Sequence, residues 1–491
     1  MLKTTSYIPE VRHFILLFLA FLSAVITQAE TSAEPSSPPN ILWIVVEDMS
    51  PHFSCYGETA IATPHVDELA AEGVQFTNAV VTAPVCSAAR SAMITGMYQT
   101  TIGSHNHRSS RGAHKIYLPE PVRPLPEYFR EAGYYCTNRK KTDYNFIWDK
   151  SLYDGTDWKE RKPGQPFFHQ EQLKGGKLRS PQGQIQKLME LVGPTVSPSE
   201  VKLPPYYPDH PIIRQDWADY LSAALYTDHQ VGEIIRDLES EGVLENTYIF
   251  FISDHGISHA RGKQFCYDEG IRIPFIVRGP GLERGSLRDE SIIHIDMAAT
   301  SLAFAGIQIP DHMQSMDLFS SSYESRPFVV SARDRCDETV DRIRSVRTQK
   351  YKYIRNYHPE RPYLQPNRYK DAKEIIKVIR QLDDQNRLTD EQKLITAQTR
   401  PVEELYNLQT DPWELQDLSQ NPQYKSILEK MRSSLDEWIA ETKDQGQALE
   451  ADSVYDLEMA WNNDDKKDRP DQLRILQRNI AKMKKWKAEG K

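Results

Sequence analysis

The segment Pro84-Val85-Cys86-Ser87-Ala88-Ala89-Arg90-Ser91-Ala92-Met93-Ile94-Thr95-Gly96 reads as a loop, a helix start and a glycine stop. Cys86 then stands at a helix N-terminus, where free backbone N–H groups and the helix dipole favour an anion. Arg90 lies one turn later on the same face, so its guanidinium can pair with the same anion. A cysteine near a helix start is by itself an ordinary small packed residue. What surrounds it decides, and two charged pairs stand out: Glu47-Asp48 and Asp254-His255, each just past an apolar run. Either pair taken alone reads as a strand-end turn or a helix cap.

The runs are residues 41–46 and 248–252, both continuous and rich in β-branched and aromatic side chains. Such runs suit strands buried on both faces of a parallel sheet. Between them, residues 220–241 carry Leu221, Ala224, Leu225, Val231, Ile234, Ile235 and Leu238 on one broad helical face. Strands alternating with helices predict an α/β sandwich, whose site lies beyond the carboxyl ends of the strands. Both charged pairs are at such ends. The pattern changes near residue 325. Residues 345–357 read as a short basic strand region, and 368–398 as polar helix with a capping-box signal at Thr389 and Gln392. The stretch 427–439 is amphipathic, and Leu473, Leu476, Ile480 and Met483 mark a last helix.

At 491 residues and 39% hydrophobic content the chain can bury a large core. Its net charge of −9 mildly repels polyanions, so a polyanionic partner must be met by local basic patches, and nucleic acid is not expected. Lys3, Arg12 and His13 precede the apolar run 14–26, and Thr27-Gln28-Ala29 resembles a small-residue cleavage site. Residues 1–29 are therefore expected to be a signal peptide and 30–38 a linker. The mature protein would be periplasmic or secreted, with no stable membrane span after cleavage. Of Cys55, Cys86, Cys136, Cys266 and Cys336, the odd count leaves one special residue and four able to pair.

Cys86-x-Ala88-x-Arg90 resembles the maturation motif of the sulfatases, Cys-x-(Pro or Ala)-x-Arg, and Thr95-Gly96 with Tyr98 continues the likeness. Pro39-Asn40-Ile41-Leu42 and the run from Thr63-Pro64-His65 to Asn78-Ala79 resemble the opening of that family. Ser253-Asp254-His255-Gly256, then Lys263, Tyr267 and Gly270-Ile271-Arg272-Ile273-Pro274, resemble its second metal segment. Glu404-Leu405-Tyr406-Asn407-Leu408 with Asp411-Pro412, Glu414 and Asp417-Leu418 resembles its C-terminal signature. Several ordered motifs over 39–440 make coincidence an inadequate explanation.

The resemblance implies an alkaline-phosphatase-like α/β core over 39–325, with a mixed, mainly parallel sheet between helices. It implies a smaller C-terminal domain over 326–491, with an antiparallel sheet and terminal helices. It implies one calcium ion, held by Glu47, Asp48, residue 86, Asp254 and His255, where Glu47 replaces the usual aspartate. It further implies that a formylglycine-generating enzyme converts Cys86 to formylglycine. One hydroxyl of the hydrated aldehyde attacks sulfur, and the second then expels sulfate. Arg90, Lys141 and Lys263 would neutralise the sulfuryl group. Lys141 is placed by Gly133-Tyr134, which resembles the family's Gly-Tyr…Gly-Lys segment.

Two further positions depart from the family. Asp143 stands where many sulfatases have a histidine two residues after the lysine. Pro166-Phe167-Phe168 leads to His169 and then Gly175, Gly176 and Lys177, without a histidine at the usual spacing. Lys263, then His105 and His107, are the candidates to protonate the leaving group. Basic clusters suit a sulfated glycan: His105, His107, Arg108 and Arg111; Lys174, Lys177 and Arg179; Arg333, Arg335, Arg342 and Arg344. From these, His105, His107, Arg333 and Arg335 are the expected substrate-binding residues. Two alternatives are a phosphoester or phosphonate hydrolase, with Asp228, His229 and His294 as loose extra ligands, and a weakly active glycan-binding pseudo-sulfatase.

Overall fold

Strand β1 (Asn40–Val46) is buried along its whole length, and its pleat feeds two cores. Ile41, Trp43 and Val45 point into one, and Leu42, Ile44 and Val46 into the other. The computed structural model describes residues 38–179 and 183–491. The expected signal peptide, and the linker except its last residue, lie outside the described residues.

β1 is an inner strand of a seven-stranded sheet of order β3-β4-β1-β5-β6-β2-β7. The other members are β2 (Val74–Val80), β3 (Tyr135–Arg139), β4 (Phe167–Leu173), β5 (Thr247–Ser253), β6 (Phe275–Arg278) and β7 (Ser286–Ile293). Only β6 runs antiparallel to its neighbours, so the sheet is mixed and mainly parallel, as expected. Helices cover both faces, the longest being Pro211–Ser240, which begins with Pro at its first position and extends the anticipated 220–241 segment upstream.

A second sheet, antiparallel and four-stranded, has the order β11-β10-β9-β8. It consists of β8 (Val329–Arg333), β9 (Ile343–Arg347), β10 (Tyr351–Asn356) and β11 (Glu403–Asn407). The basic region 345–357 is thus the end of one strand, a tight turn and a second strand. The capping box at Thr389 and Gln392 is formed, with both reciprocal hydrogen bonds. The amphipathic stretch is the helix Lys425–Thr442, and the last helix is Pro470–Ala488. Both sheets belong to one compact unit, Pro39–Lys491.

The cysteines do not pair: all five are free thiols. Each is engaged in its own surroundings. Cys55 donates its backbone N–H to the Asp67 carboxylate, Cys136 lies against the Pro126 carbonyl, Cys266 against the Ser331 carbonyl, and Cys336 packs on Ala83, Val85 and Ala88. Among the described residues, no helix is long and apolar enough to cross a membrane.

Candidate active site

The parallel register sets Val46 of β1 opposite Ser253 of β5. The residues that follow, Glu47-Asp48 and Asp254-His255, therefore emerge side by side at the carboxyl edge of the sheet. The backbone N–H of Asp48 donates to Asp254 Oδ1 at 3.1 Å, and Asp48 adopts a left-handed conformation, φ 55°. Helix Cys86–Thr95 points its N-terminus at these acids and stops at Gly96, φ 64°.

Cys86 is fully buried and surrounded by charge. Lys263 donates to its Sγ at 2.9 Å, and His255 Nε2 lies 3.2 Å away. Asp48 Oδ1 and Lys177 Nζ are each 3.9 Å from the same sulfur. Burial alone would raise the thiol pKa, but Lys141 and Lys263 outweigh it and pull it down to about 7. Burial likewise opposes ionisation of Asp48, yet Lys263 and His255 hold that carboxyl well below the usual range. Asp254 is depressed in the same way by His255 and Arg90 against its own burial. The pocket thus keeps two ionised carboxylates in a dry setting.

Ligand atoms of Asp48, Cys86, Asp254 and His255 all lie within 4.8 Å of one another. His255 Nδ1 is bound to the Gly256 carbonyl at 2.8 Å, which leaves Nε2 facing the cluster in the orientation of a metal ligand. Two ionised carboxylates and a fixed imidazole around one point fit a divalent cation. Arg90 gives Nε to Asp254 at 3.0 Å and Nη1 to Gln172 at 2.5 Å. Its Nη2 is buried without a partner, a donor still to be satisfied.

Glu47 does not join this cluster. Its Oε2 receives Lys141 and Lys177. Lys177 was foreseen only as part of a basic cluster, and the turn after β4 explains its arrival. Gly175 and Gly176 press against the end of β1, where a Cβ would sit 2.6 Å from the Glu47 carbonyl oxygen and 2.2 Å from that of Asp48. Only glycines permit this approach. His169 stays inside the sheet, bonded to Thr137 at 2.7 Å. A second unforeseen contributor is Tyr369, from the short helix Arg368–Asp371 between β10 and β11. Its aromatic side chain carried no signal in the sequence.

The expected substrate residues separate. His107 lies under the nucleophile helix, with Nδ1 2.8 Å from Ser87 Oγ. His105 instead lines a cavity of about 720 Å³ with Arg335, Arg342 and Tyr455. Arg333 is buried and ion-paired with Asp341, and Arg335 is buried against Glu450. Both guanidinium charges are therefore already partnered. Nor do the loose second-metal residues converge. Asp228 caps Val66, His229 pairs with Glu233 on the surface of the same helix, and His294 bonds the Ala89 carbonyl.

The sulfatase family model matches residues 39–307, and that of the N-sulphoglucosamine sulphohydrolase C-terminal region matches 255–400. An ulvan-active sulfatase of Formosa agariphila is 33% identical over 470 residues, covering 86% of this chain and 78% of the relative. Human N-sulphoglucosamine sulphohydrolase is 23% identical over 83% of this chain and 91% of its own. The solved structure of a 2-O GAG sulfatase superposes with a TM-score of 0.60 at 21% identity, covering 85% of this chain and 95% of that one, a likeness of fold. With more than half of its length matched by the family, and its Cys-x-Ala-x-Arg helix aimed at an acidic strand edge, this chain belongs to the sulfatase family, the sulfuric ester hydrolases.

Proposed function

We propose that the protein removes sulfate from a sulfated polysaccharide or its fragments, with residue 86 acting as formylglycine and one calcium ion held by Asp48, residue 86, Asp254 and His255. The convergence of these side chains and Lys263 on Cys86 Sγ carries this reading. The thiol Sγ marks the place of the reactive oxygen. Glu47, the fifth proposed ligand, joins only by giving up Lys141 and Lys177. When bound, calcium supplies Lewis acidity toward a sulfate oxygen and lowers the pKa of a neighbouring hydroxyl.

The remaining work falls to the chain itself. The helix N-terminus presents residue 86 where backbone N–H groups favour negative charge. Arg90, Lys141 and Lys263 meet the oxygens of the sulfuryl group as charge moves onto the leaving oxygen. Lys263 and Lys177, both beside residue 86, are the cations able to give the departing alkoxide its proton. The names of the ulvan-active and N-sulphoglucosamine relatives support a saccharide substrate, as ester or N-sulfate. We assign 39–325 as the catalytic domain and 326–491 as the C-terminal subdomain, supported by the separation of the two sheets along the chain. The protein would be exported to the periplasm or beyond.

The test is co-production with a formylglycine-generating enzyme, peptide mass spectrometry of residue 86, and desulfation of a panel of defined sulfated oligosaccharides. The expected result is a formylglycine residue together with turnover. Full activity with an unconverted thiol at 86 would sink the mechanism.

A further inference from the structure

Asp143, at the position where many sulfatases have a histidine, binds two arginines. Its Oδ1 receives Arg108 Nε at 3.3 Å and Arg111 Nη2 at 2.7 Å, and its Oδ2 receives Arg108 Nη2 at 3.2 Å. Lys141 Nζ lies 3.4 Å from the same carboxylate. Asp143 is almost wholly buried, at 3% exposure, whereas Arg108 and Arg111 remain 31% and 39% exposed. Burial works against the charged carboxylate, but Arg108 and Lys141 hold its pKa well below the usual range. Arg108 and Asp143 both adopt left-handed backbone, φ 58° and 59°, a conformation that non-glycine residues hold only under tertiary constraint.

The two arginines border a recess of about 220 Å³, lined also by Ser87, Tyr144 and Trp148. It adjoins a more open one of about 400 Å³ that shares both arginines and includes Lys141. Ser87 is the neighbour of Cys86, and Lys141 Nζ lies 3.9 Å from Asp254 Oδ2, so the groove is lined by residues that flank the reacting centre. Among the described residues, Arg108 Nη1 and Arg111 Nη1 make no hydrogen bond. Arg108 and Arg111 share the Asp143 carboxylate, while Lys141 also reaches Glu47 and Arg111 lies over the Trp461 ring, 5.6 Å from its centroid. Asp337, the other acid near Arg108, faces His107 Nε2 at 3.8 Å. Lys140, on the open side, is taken by Glu171 at 3.2 Å.

We propose that Arg108 and Arg111, held by Asp143, form a subsite for a second anionic group on the substrate, a carboxylate or a further sulfate on the sugar next to the scissile sulfate. The inference rests on the saccharide reading above and gives that substrate a charge pattern. Guanidinium groups suit planar or tetrahedral oxyanions because their N–H donors form a fixed fork. Trp148 gives the adjoining sugar ring an apolar wall.

The test is calorimetric binding to the full-length Cys86→Ser protein of three matched sulfated disaccharides. The non-scissile unit carries a carboxylate, a sulfate ester or a neutral hydroxymethyl group. At least one anionic form is expected to bind about tenfold more tightly than the neutral one, as for a charge-assisted bidentate contact. In Cys86→Ser with Arg108→Gln and Arg111→Gln the advantage should fall to about twofold or less, while Arg284→Gln on the far surface leaves it intact. Should the double variant misfold, Arg111→Gln alone is expected to remove part of the advantage. Preference for the carboxylate identifies a uronic acid neighbour, and preference for the sulfate a disulfated unit. Equal binding of all three, no binding, or an advantage that survives loss of both arginines overturns the proposal. Turnover by the converted wild-type enzyme reports separately: anionic preference without desulfation of any substrate would leave the subsite standing and remove the sulfatase mechanism.

Discussion

Tyr369 donates its hydroxyl to Asp48 Oδ2 at 3.2 Å, joining a residue from the segment between β10 and β11 to the edge of β1. The same ring lies under the Lys263 ammonium, 5.2 Å from its centroid. A residue outside the seven-stranded sheet therefore orients one acid and one lysine of the candidate site.

Tyr369→Phe should remove the hydrogen bond to the charged Asp48, together with the contact to Ser258 Oγ at 3.3 Å, and keep the ring. A loss of about 1.5–3 kcal/mol is expected, or roughly ten- to hundredfold in kcat/KM. Steady-state kinetics on a glycan sulfate, with thermal unfolding as the folding control, will show it. Unchanged kinetics would mean that Lys263 and His255 hold Asp48 without the tyrosine.

Calcium should raise the unfolding temperature of the wild type by mass action. In Asp254→Asn the increase should vanish, because one of two clustered carboxylates is lost and Arg90 is left facing a neutral amide. Differential scanning fluorimetry across a calcium titration measures this without reference to turnover. A wild-type-like shift in the variant would move the ion elsewhere.

Leaving-group dependence should identify the proton donor. A positioned acid is worth about 10²–10⁴-fold for a poor leaving group and little for a phenolate. Lys263→Ala and Lys177→Ala are to be compared on a glycan sulfate and an activated aryl sulfate, with His105→Ala and His107→Ala alongside. The true donor slows the glycan reaction selectively. Equal losses on both substrates for every variant would mean that none of the four is the acid.

His294 gives the fold a pH sensitivity. Its Nδ1 accepts the Thr82 N–H at 3.3 Å and its Nε2–H donates to Ala89 O at 3.0 Å, a pattern that only the neutral ring can make. Burial lowers its pKa from 6.5 to about 4. The unfolded chain therefore binds more protons than the folded one between those values. The contribution is complete above pH 6.5 and is lost as pH falls toward 4, about 3 kcal/mol in all. Denaturant unfolding at several pH values should give this slope, and His294→Gln should flatten it.

Much of the site was legible because its parts follow from backbone geometry. Continuous apolar runs mark parallel strands, strand ends mark the site edge, and a Cys-x-Ala-x-Arg helix supplies the third element. Asp48, Cys86, Arg90, Asp254, His255, Lys141 and Lys263 consequently meet. What stayed illegible depends on how loops fold back. Lys177 reaches Glu47 only because two glycines let its turn lie on β1, and Tyr369 crosses from a distant segment with no periodic signal. Arg333 and Arg335 looked like ligands for a polyanion because charge in a sequence does not disclose whether a buried carboxylate already claims it.

The five unpaired thiols differ in chemistry. Burial raises Cys55 and Cys266 to about 12 and lifts Cys136 and Cys336 as well, whereas Cys86 is held near 7. At neutral pH only one position carries a substantial thiolate fraction, and it is the one that the proposed conversion to an aldehyde would erase. A small anionic alkylating reagent, drawn in by the lysines, should thus label unconverted chains once and converted chains not at all. Labelling stoichiometry becomes a direct count of the inactive fraction in any preparation, and a hydrazide tag counts the complement.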